Sequence, residues 1–464
     1  MDKVALLTCP PWEPLAPSPG VGYVAASLTS AGIENAIFDL NRYLYYRAHQ
    51  EERDLWLFEN ANHWNWPERF VTIKERYWPE TEDFLEKVLD FGPRIVGLSV
   101  AYSKELMSIE VIKYLKARDP GLKIVLGGPA VTASGSRSIY IHEIPELIEA
   151  IVVGEGEAVF PEVLRRFEDG GDVRSLPGVM AKPYLDGPFP ITPGHLDLDS
   201  LPYPTYAEFQ SERPWESLIL VISRSCVANC SFCNVRALQG KFRTRSAGNV
   251  MAEIHHHSRA MDLHRYTVYD SAVNGDLRVL DDLCEEMMTS GYQLDWGALA
   301  IVRKDMPAEL FHKMRATGCR FLEIGLESGS DKVLKAMRKP FLSSHASTFL
   351  KNAHAAGIET VLFLIVGFPG EGEKEFKETI NFVRENEAYI DRISSINVFM
   401  VLEGSPIAED PERFDIILPE ERWDFYWTSK DGKNTYEYRK AKTLEMCEAL
   451  EKLDIDVVKT NFID

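Results

Sequence analysis

Short apolar runs separated by amphipathic stretches fill the first third of the chain. The runs at 4–7, 36–38, 95–100, 124–126 and 150–153 show no polar alternation, the pattern of strands buried on both faces of a parallel sheet. Between most of them, 22–29, 80–89, 104–118 and 158–168 carry helical patterns. This alternation predicts an α/β fold, with an open, doubly wound, Rossmann-like sheet over residues 1–171. Ligands in that architecture bind beyond the carboxyl ends of the strands. The loops there hold Pro10 and Trp12, then Ser99, Tyr102 and Ser103, then Gly127 and Gly128, then Gly154 and Gly156. Glycines at strand ends let backbone approach a ligand closely, so these loops form a candidate binding edge.

An aromatic-rich insertion at 42–79 interrupts the alternation, and its rings read as a small helical subdomain burying itself, with a lid over a flat ligand as the alternative. Residues 172–215, rich in Pro, Asp and Gly, read as a linker. A second alternation follows over 216–401, with strands expected at 218–223, 266–269, 296–301, 321–325, 360–366 and 396–401. Helical patterns at 246–259, 277–290, 307–317 and 374–386 separate them. Six βα units predict a partial, TIM-like (β/α)6 barrel, whose chemistry belongs at the carboxyl ends of its strands. Residues 402–464 read as a mostly helical carboxyl-terminal extension, with a helix over 436–453.

A length of 464 residues suits two or three domains. The net charge of −20 argues against an extended nucleic-acid surface; only the stretch KFRTR at 241–245 is locally basic. Seven cysteines, an odd number with three clustered, do not form a disulfide framework and fit a reducing compartment. No signal-peptide pattern opens the chain, and no apolar run approaches the roughly 20 residues of a membrane helix, so a cytoplasmic protein is expected. Gly20-Val21-Gly22-Tyr23-Val24-Ala25 loosely matches a dinucleotide fingerprint. It lies well beyond the strand, though, where the tight turn of that motif cannot form.

The chemistry concentrates at Cys226, Cys230 and Cys233, spaced Cys-x3-Cys-x2-Cys directly after the apolar run 218–222. Thiolates this close along a loop can converge on a soft metal centre, and iron–sulfur clusters are held in this way. Three ligands would leave one iron of a cubane open to a small molecule. A structural zinc site ordinarily needs a second Cys or Cys/His pair, and no second knuckle follows. The run His255–His256–His257, on a predicted helix, reads as a solvated face. Cys284, Cys319 and Cys447 read as buried packing residues.

With these features together, the chain resembles the radical S-adenosylmethionine (SAM) superfamily, and within it the cobalamin-binding subgroup. The resemblance rests on the cysteine loop with Phe232 before its last cysteine. It rests also on IGLESGS at 324–330 and IVGFPGE at 365–371, and on the GGP and VGEGE loops of the first domain. It implies a 4Fe–4S cluster on Cys226, Cys230 and Cys233, with the amino and carboxylate groups of SAM on the open iron. It implies Phe232 and Gly367 beside the adenine, Arg303 as partner of the methionine carboxylate, Glu327 as acceptor from ribose or amine, and Asp270 as a further SAM contact. Cobalamin would sit on the edge made by Pro10, Trp12, Ser99, Tyr102, Ser103, Gly127, Gly128, Gly154 and Gly156. No Asp-x-His-x-x-Gly motif is present, so a cobalt without a protein histidine is implied.

The reaction implied by the resemblance is reductive cleavage of SAM to methionine and a 5′-deoxyadenosyl radical, which removes hydrogen from an unactivated carbon. In a methylase the substrate then receives the methyl group of methylcobalamin, giving methylation of a carbon or phosphorus of a small molecule or peptide. The alternative is cyclisation, ring rearrangement or oxidation with the same cofactors. A flavodoxin- or ferredoxin-type electron donor is also implied. Transfer-RNA methylthiotransferases share the layout but carry additional cysteines in the first domain, where this chain has Cys9 alone. A simple electron carrier is the non-enzymatic competitor.

Overall fold

The structure is a computed structural model. It describes the whole chain except residues 1, 57, 102, 133, 183–195, 205, 210–212, 262, 421–422 and 459–464. Two compact units divide it, Met1–Ile219 and Leu220–Asp464.

The sheet of the first unit comprises β1 (Val4–Thr8), β2 (Asn35–Asp39), β3 (Ile95–Ser99), β4 (Lys123–Gly127), β5 (Ala150–Val152) and β6 (Val179–Ala181). Their order is β2-β1-β3-β4-β5-β6, parallel throughout except for β6. β1 and β3 are neighbours, and their following connections leave in opposite directions along the sheet. This switch point opens a crevice at the carboxyl ends. Val4, Ala5, Leu7, Val96 and Ile124 are fully buried, as two-sided coverage of a parallel sheet requires.

The long helix Pro67–Asp90 continues through Pro79, so it begins well before the helical pattern read at 80–89. Its buried stripe of Phe70, Ile73, Tyr77, Phe84, Leu85 and Val88 is continuous across the proline, and this packing outweighs one lost amide bond. The aromatic insertion buries its own rings. Trp56 meets Trp64 edge-on at 5.1 Å between centroids and Tyr77 at 5.6 Å, within the core of the unit.

Segment 172–215 is more than a tether. β6 adds an antiparallel edge to β5, and at the opposite edge Phe209 bridges to Ile37 beside β2. Arg42 stacks on Trp215 at 3.9 Å and donates to the Pro214 carbonyl at 2.6 Å. Both edges of the sheet are thereby covered.

The second unit is built on β7 (Leu218–Leu220), followed by a two-stranded ribbon of β8 (Ser223–Arg224) and β9 (Arg243–Thr244). Then come β10 (Arg265–Val268), β11 (Asp295–Ala300), β12 (Cys319–Glu327), β13 (Glu359–Val366) and β14 (Arg392–Val398). A second small ribbon, β15 (Ile416–Ile417) with β16 (Thr428–Ser429), precedes the helix Tyr436–Leu450 and β17 (Asp456–Val457). The large sheet is ordered β17-β14-β13-β12-β11-β10-β7, an open run in sequence order. The six expected strands are all present. β17, too short for any periodicity, joins as a seventh, parallel to β14.

On β12 the fully buried Leu322, Ile324 and Leu326 alternate with Phe321, Glu323 and Gly325, which therefore share the opposite face. His257, expected on a solvated face, is fully buried and lies 4.0 Å from Glu253. Cys284, Cys319 and Cys447 are buried thiols.

Candidate active site

The thiol loop hangs from the carboxyl end of β7 and is closed at its base by the β8–β9 ribbon. Ser225, in the left-handed region at φ 71°, turns the chain into the loop. Its amide donates to Gln239 Oε1 at 2.6 Å and its hydroxyl to the Gly240 carbonyl at 2.7 Å, joining the two ends. Ser231 is the central anchor. Its hydroxyl donates to the Ala336 carbonyl at 3.0 Å, its amide to the Met337 carbonyl at 2.9 Å, and its own carbonyl accepts from the Ile407 amide at 2.9 Å. Asn234 Nδ2 adds a bond to the Glu403 carbonyl at 3.1 Å. Phe232 packs against the cluster of Met337, Phe368, Phe399 and Ile407, which fixes the loop before its last cysteine.

Cys226 and Cys230 are buried and Cys233 half-buried, all three free thiols. Burial pushes the Cys230 thiol up to about 11, against the pull of the Lys339 ammonium, and raises Cys233 as well. Among the described residues, no three His, Cys, Asp or Glu side chains are grouped as ligands of one metal ion. A cubane asks for a wider set, because each thiolate takes its own iron. Three free thiols on a loop pinned at both flanks fit that requirement.

Beside them lies a buried ion pair that the sequence did not disclose. Lys339 Nζ reaches Glu327 Oε1 at 2.9 Å and the Gly325 carbonyl at 2.9 Å, with both side chains about nine-tenths buried. Burial alone would lower the Lys339 pKa, but Glu327 and Cys230 outweigh it and the net shift is upward. Glu327 takes φ 65° at the end of β12, which turns its carboxylate back to Lys339. The ammonium also lies 5.4 Å from the Phe232 ring. Its only signal in the sequence is a lysine before Pro340, where the chain doubles back after the short helix Asp331–Ala336.

Three expected SAM contacts have other partners. Asp270 accepts from the Ile222 amide at 2.9 Å and the Ser223 hydroxyl at 2.7 Å, so it holds the root of the thiol loop. Its burial raises its pKa to about 6. Arg303 grips Asp305 through Nε at 2.9 Å and Nη2 at 2.6 Å, and its Nη1 donates to the Asn274 and Gly275 carbonyls. Its fork is thus taken by the protein. Gly367, at φ 84°, gives its amide to Glu371 and its carbonyl to Asn434 Nδ2, 2.9 Å away. A Cβ there would stand 2.4 Å from Arg439 Cγ, so the close approach at this glycine is to Arg439.

In the first unit the expected loops interlock at the carboxyl edge. Thr132 donates to the Gly128 carbonyl at 3.0 Å and accepts from the Gly154 amide at 3.1 Å. Gly128 has φ 104°, and a Cβ on it would sit 2.5 Å from the Val100 carbonyl, so only glycine fits. Gly127 and Gly156 each leave room for a Cβ, whose nearest neighbours would be the Val152 carbonyl oxygen at 3.9 Å and Val24 Cγ2 at 3.6 Å. Asn41 clamps Trp12 from both sides, accepting from its amide at 2.9 Å and donating to its carbonyl at 3.0 Å, just beyond buried Pro10. Ser99 ends β3, and Ser103 takes φ 70°. Tyr102 lies outside the described residues. Buried Lys104, unforeseen, donates to Thr8 Oγ1 at 3.0 Å, and burial lowers its pKa to about 8. No histidine occurs in 9–16, 99–104, 127–132 or 153–158. An edge of small residues and open backbone fits a large flat ligand that needs no protein imidazole.

Comparison with known proteins brings the two units together. Residues 220–383 match the model of the Radical SAM superfamily, and residues 69–164 match that of the B12 binding domain. The chain carries both a radical SAM domain and a B12-binding domain. Its cofactors are a 4Fe–4S cluster, SAM and cobalamin. Among relatives of this radical SAM chain, an uncharacterized methyltransferase of Pyrococcus horikoshii is 25% identical over 314 residues, 65% of this chain and 66% of that protein. The cytidylyl-2-hydroxyethylphosphonate methyltransferase of Streptomyces wedmorensis is 25% identical over 455 residues, 87% of this chain and 79% of that protein. The solved radical SAM methyltransferase TsrM of Kitasatospora setae shares the fold, with a TM-score of 0.65 and 15% identity, covering 89% of this chain and 75% of that one. No helix among the described residues of the radical SAM chain is long and apolar enough to cross a membrane.

Proposed function

We propose that this chain is a cobalamin-dependent radical SAM methylase acting on a carbon or phosphorus centre of a small molecule or peptide. When bound, the three cofactors supply reductive SAM cleavage, a 5′-deoxyadenosyl radical and a methyl donor. Cys226, Cys230 and Cys233 would hold the cluster. Lys339, the buried cation beside the thiols, would meet the methionine carboxylate, and Glu327 would accept from its amine or ribose. Asp270 and Ser231 keep the loop in place, and Phe232 backs it with apolar packing. The carboxyl edge of the first unit, from Pro10 and Trp12 to Gly156, would receive cobalamin.

The observation that carries this reading is the pinned thiol loop with the Lys339–Glu327 pair against it, in a chain that also has a B12-binding region. Methyl transfer is favoured because both relatives named above are methyltransferases. The free thiols suit a reducing, cytoplasmic setting. The test is anaerobic reconstitution with dithionite and SAM. Iron–sulfur absorbance and 5′-deoxyadenosine are expected, and both should be lost when any one of the three cysteines becomes alanine. With a substrate in hand, the product should be heavier by one CH2; an unchanged or lighter carbon skeleton would instead favour ring formation or oxidation.

A further inference from the structure

A carboxylate without a counter-charge stands on the open face of the large sheet. Leu322, Ile324 and Leu326 of β12 are fully buried, whereas Phe321, Glu323 and Gly325, on the other face, keep part of their surface exposed. The strand register carries that face across the sheet. Leu299 of β11 lies level with Glu323, and Phe363 of β13 with Gly325. Leu299, Phe363 and Ile365 are also only half-buried, so they form a wall that is apolar and reachable.

Glu323 interrupts that wall with a charge. Its side chain has no hydrogen bond or ion pair among the described residues. Other carboxylates of the same unit are matched: Glu327 by Lys339, Glu253 by Arg245 and Glu375 by Lys332. Burial holds the Glu323 carboxyl above its usual range, against the pull of Arg392. Arg392 is level with Val361, two strands from Glu323, and its Nε is bonded to Asp456 at 2.8 Å.

Tyr269 stands at the same level. Thr267 of β10 pairs with Gly297, so Tyr269, two residues on, comes level with Leu299 on the open face. Its amide donates to the Leu220 carbonyl at 3.0 Å, which keeps it in the sheet, and the residue is 52% exposed. Crowding around its hydroxyl and then the Glu323 charge raise its phenol. The wall also leads to the thiol loop. A Cβ on Gly325 would stand 2.6 Å from Glu327 Oε1 and 3.4 Å from Lys339 Nζ, so that ion pair rests on the same face. Glu323 lies two residues back from Gly325, about 7 Å along the strand.

A carboxylate in an apolar wall is costly alone and is satisfied by a cation. An anion would be repelled there, and a neutral group would leave the charge unmatched. An exposed aromatic ring beside it adds attraction for an ammonium. We propose that Glu323, with Tyr269 beside it, is a substrate-binding carboxylate that takes a protonated amine carried on an apolar body. The inference rests on the function proposed above and narrows its substrate. The ammonium would lie on Glu323, and the carbon skeleton would run along Leu299 and Phe363 towards the Lys339–Glu327 pair.

The reconstituted chain and Glu323→Gln are titrated calorimetrically at pH 7 with phenethylamine, phenethyl alcohol and 3-phenylpropionate, probes of similar shape and different charge. In the parent the amine is expected to bind about tenfold or more tightly than the alcohol. That margin should vanish in Glu323→Gln, with the alcohol bound as before. Equal affinity for amine and alcohol in the parent would overturn the proposal, as would a margin that survives Glu323→Gln. Tighter binding of 3-phenylpropionate, or no binding of the amine at millimolar concentration, would do the same. Should Glu323→Gln not fold, Tyr269→Leu decides in its place: the amine should weaken more than the alcohol, and equal loss overturns the proposal. Formation of 5′-deoxyadenosine from SAM and dithionite is followed separately in the parent. Its absence would fail the proposed reaction, while the affinities still decide the amine site.

Discussion

Lys339 and Glu327 neutralise each other where water is nearly excluded, so removing one leaves the other stranded. Breaking such a pair typically costs about 3–5 kcal/mol. Lys339→Met is therefore expected to lower the unfolding free energy by that order in a urea titration. Adding Glu327→Gln should recover much of the loss, because the stranded charge is then gone. Neither variant should bind SAM normally. Asp270 makes a different case, since it answers the Ile222 amide and the Ser223 hydroxyl at the root of the thiol loop. Asp270→Ala leaves both donors buried without an acceptor, at about 1–3 kcal/mol each. Reduced iron content after reconstitution, at a SAM affinity per iron site close to the parent's, would mark it as a positioning residue.

Most strands of both sheets were legible because mostly apolar runs of three to seven residues have few other uses in a globular chain. What the pattern could not convey were elements too short to have a period, such as β6 and β17, and a helix that tolerates Pro79 because its apolar stripe continues on both sides. The site was legible in place more than in partner. Asp270, Arg303 and Gly367 do lie just beyond the strand ends, but which atom each one meets depends on where the chain returns. That information is absent from local spacing, and Lys339 was hidden for the same reason. The loop after β13 offers a pH test. Glu371, just past Gly367, is buried, and this raises its carboxyl from 4.5 to about 7. The fold thus favours the protonated form: its contribution is whole below pH 4.5 and is lost as pH rises through about 7. Relative to Glu371→Gln, the parent should lose about 3 kcal/mol of stability across that window, read from urea midpoints at several pH values.

The two units make separable demands on their cofactors, and that separation can be measured. Gly127 ends β4 with room for a Cβ and an ordinary φ, so a side chain can be attached there without backbone strain. Gly127→Phe is expected to cut cobalt content at least about tenfold at limiting cobalamin, if even 1.4 kcal/mol of binding is lost. Iron content and circular dichroism should stay as in the parent. The carboxyl-terminal segment is bound to the chemistry in another way. Ile407 and the Glu403 carbonyl fasten the thiol loop from a stretch of chain far downstream of it. An engineer who swaps tails between homologues to alter selectivity would be exchanging the clasp along with the ornament, and should carry residues 403–407 over unchanged.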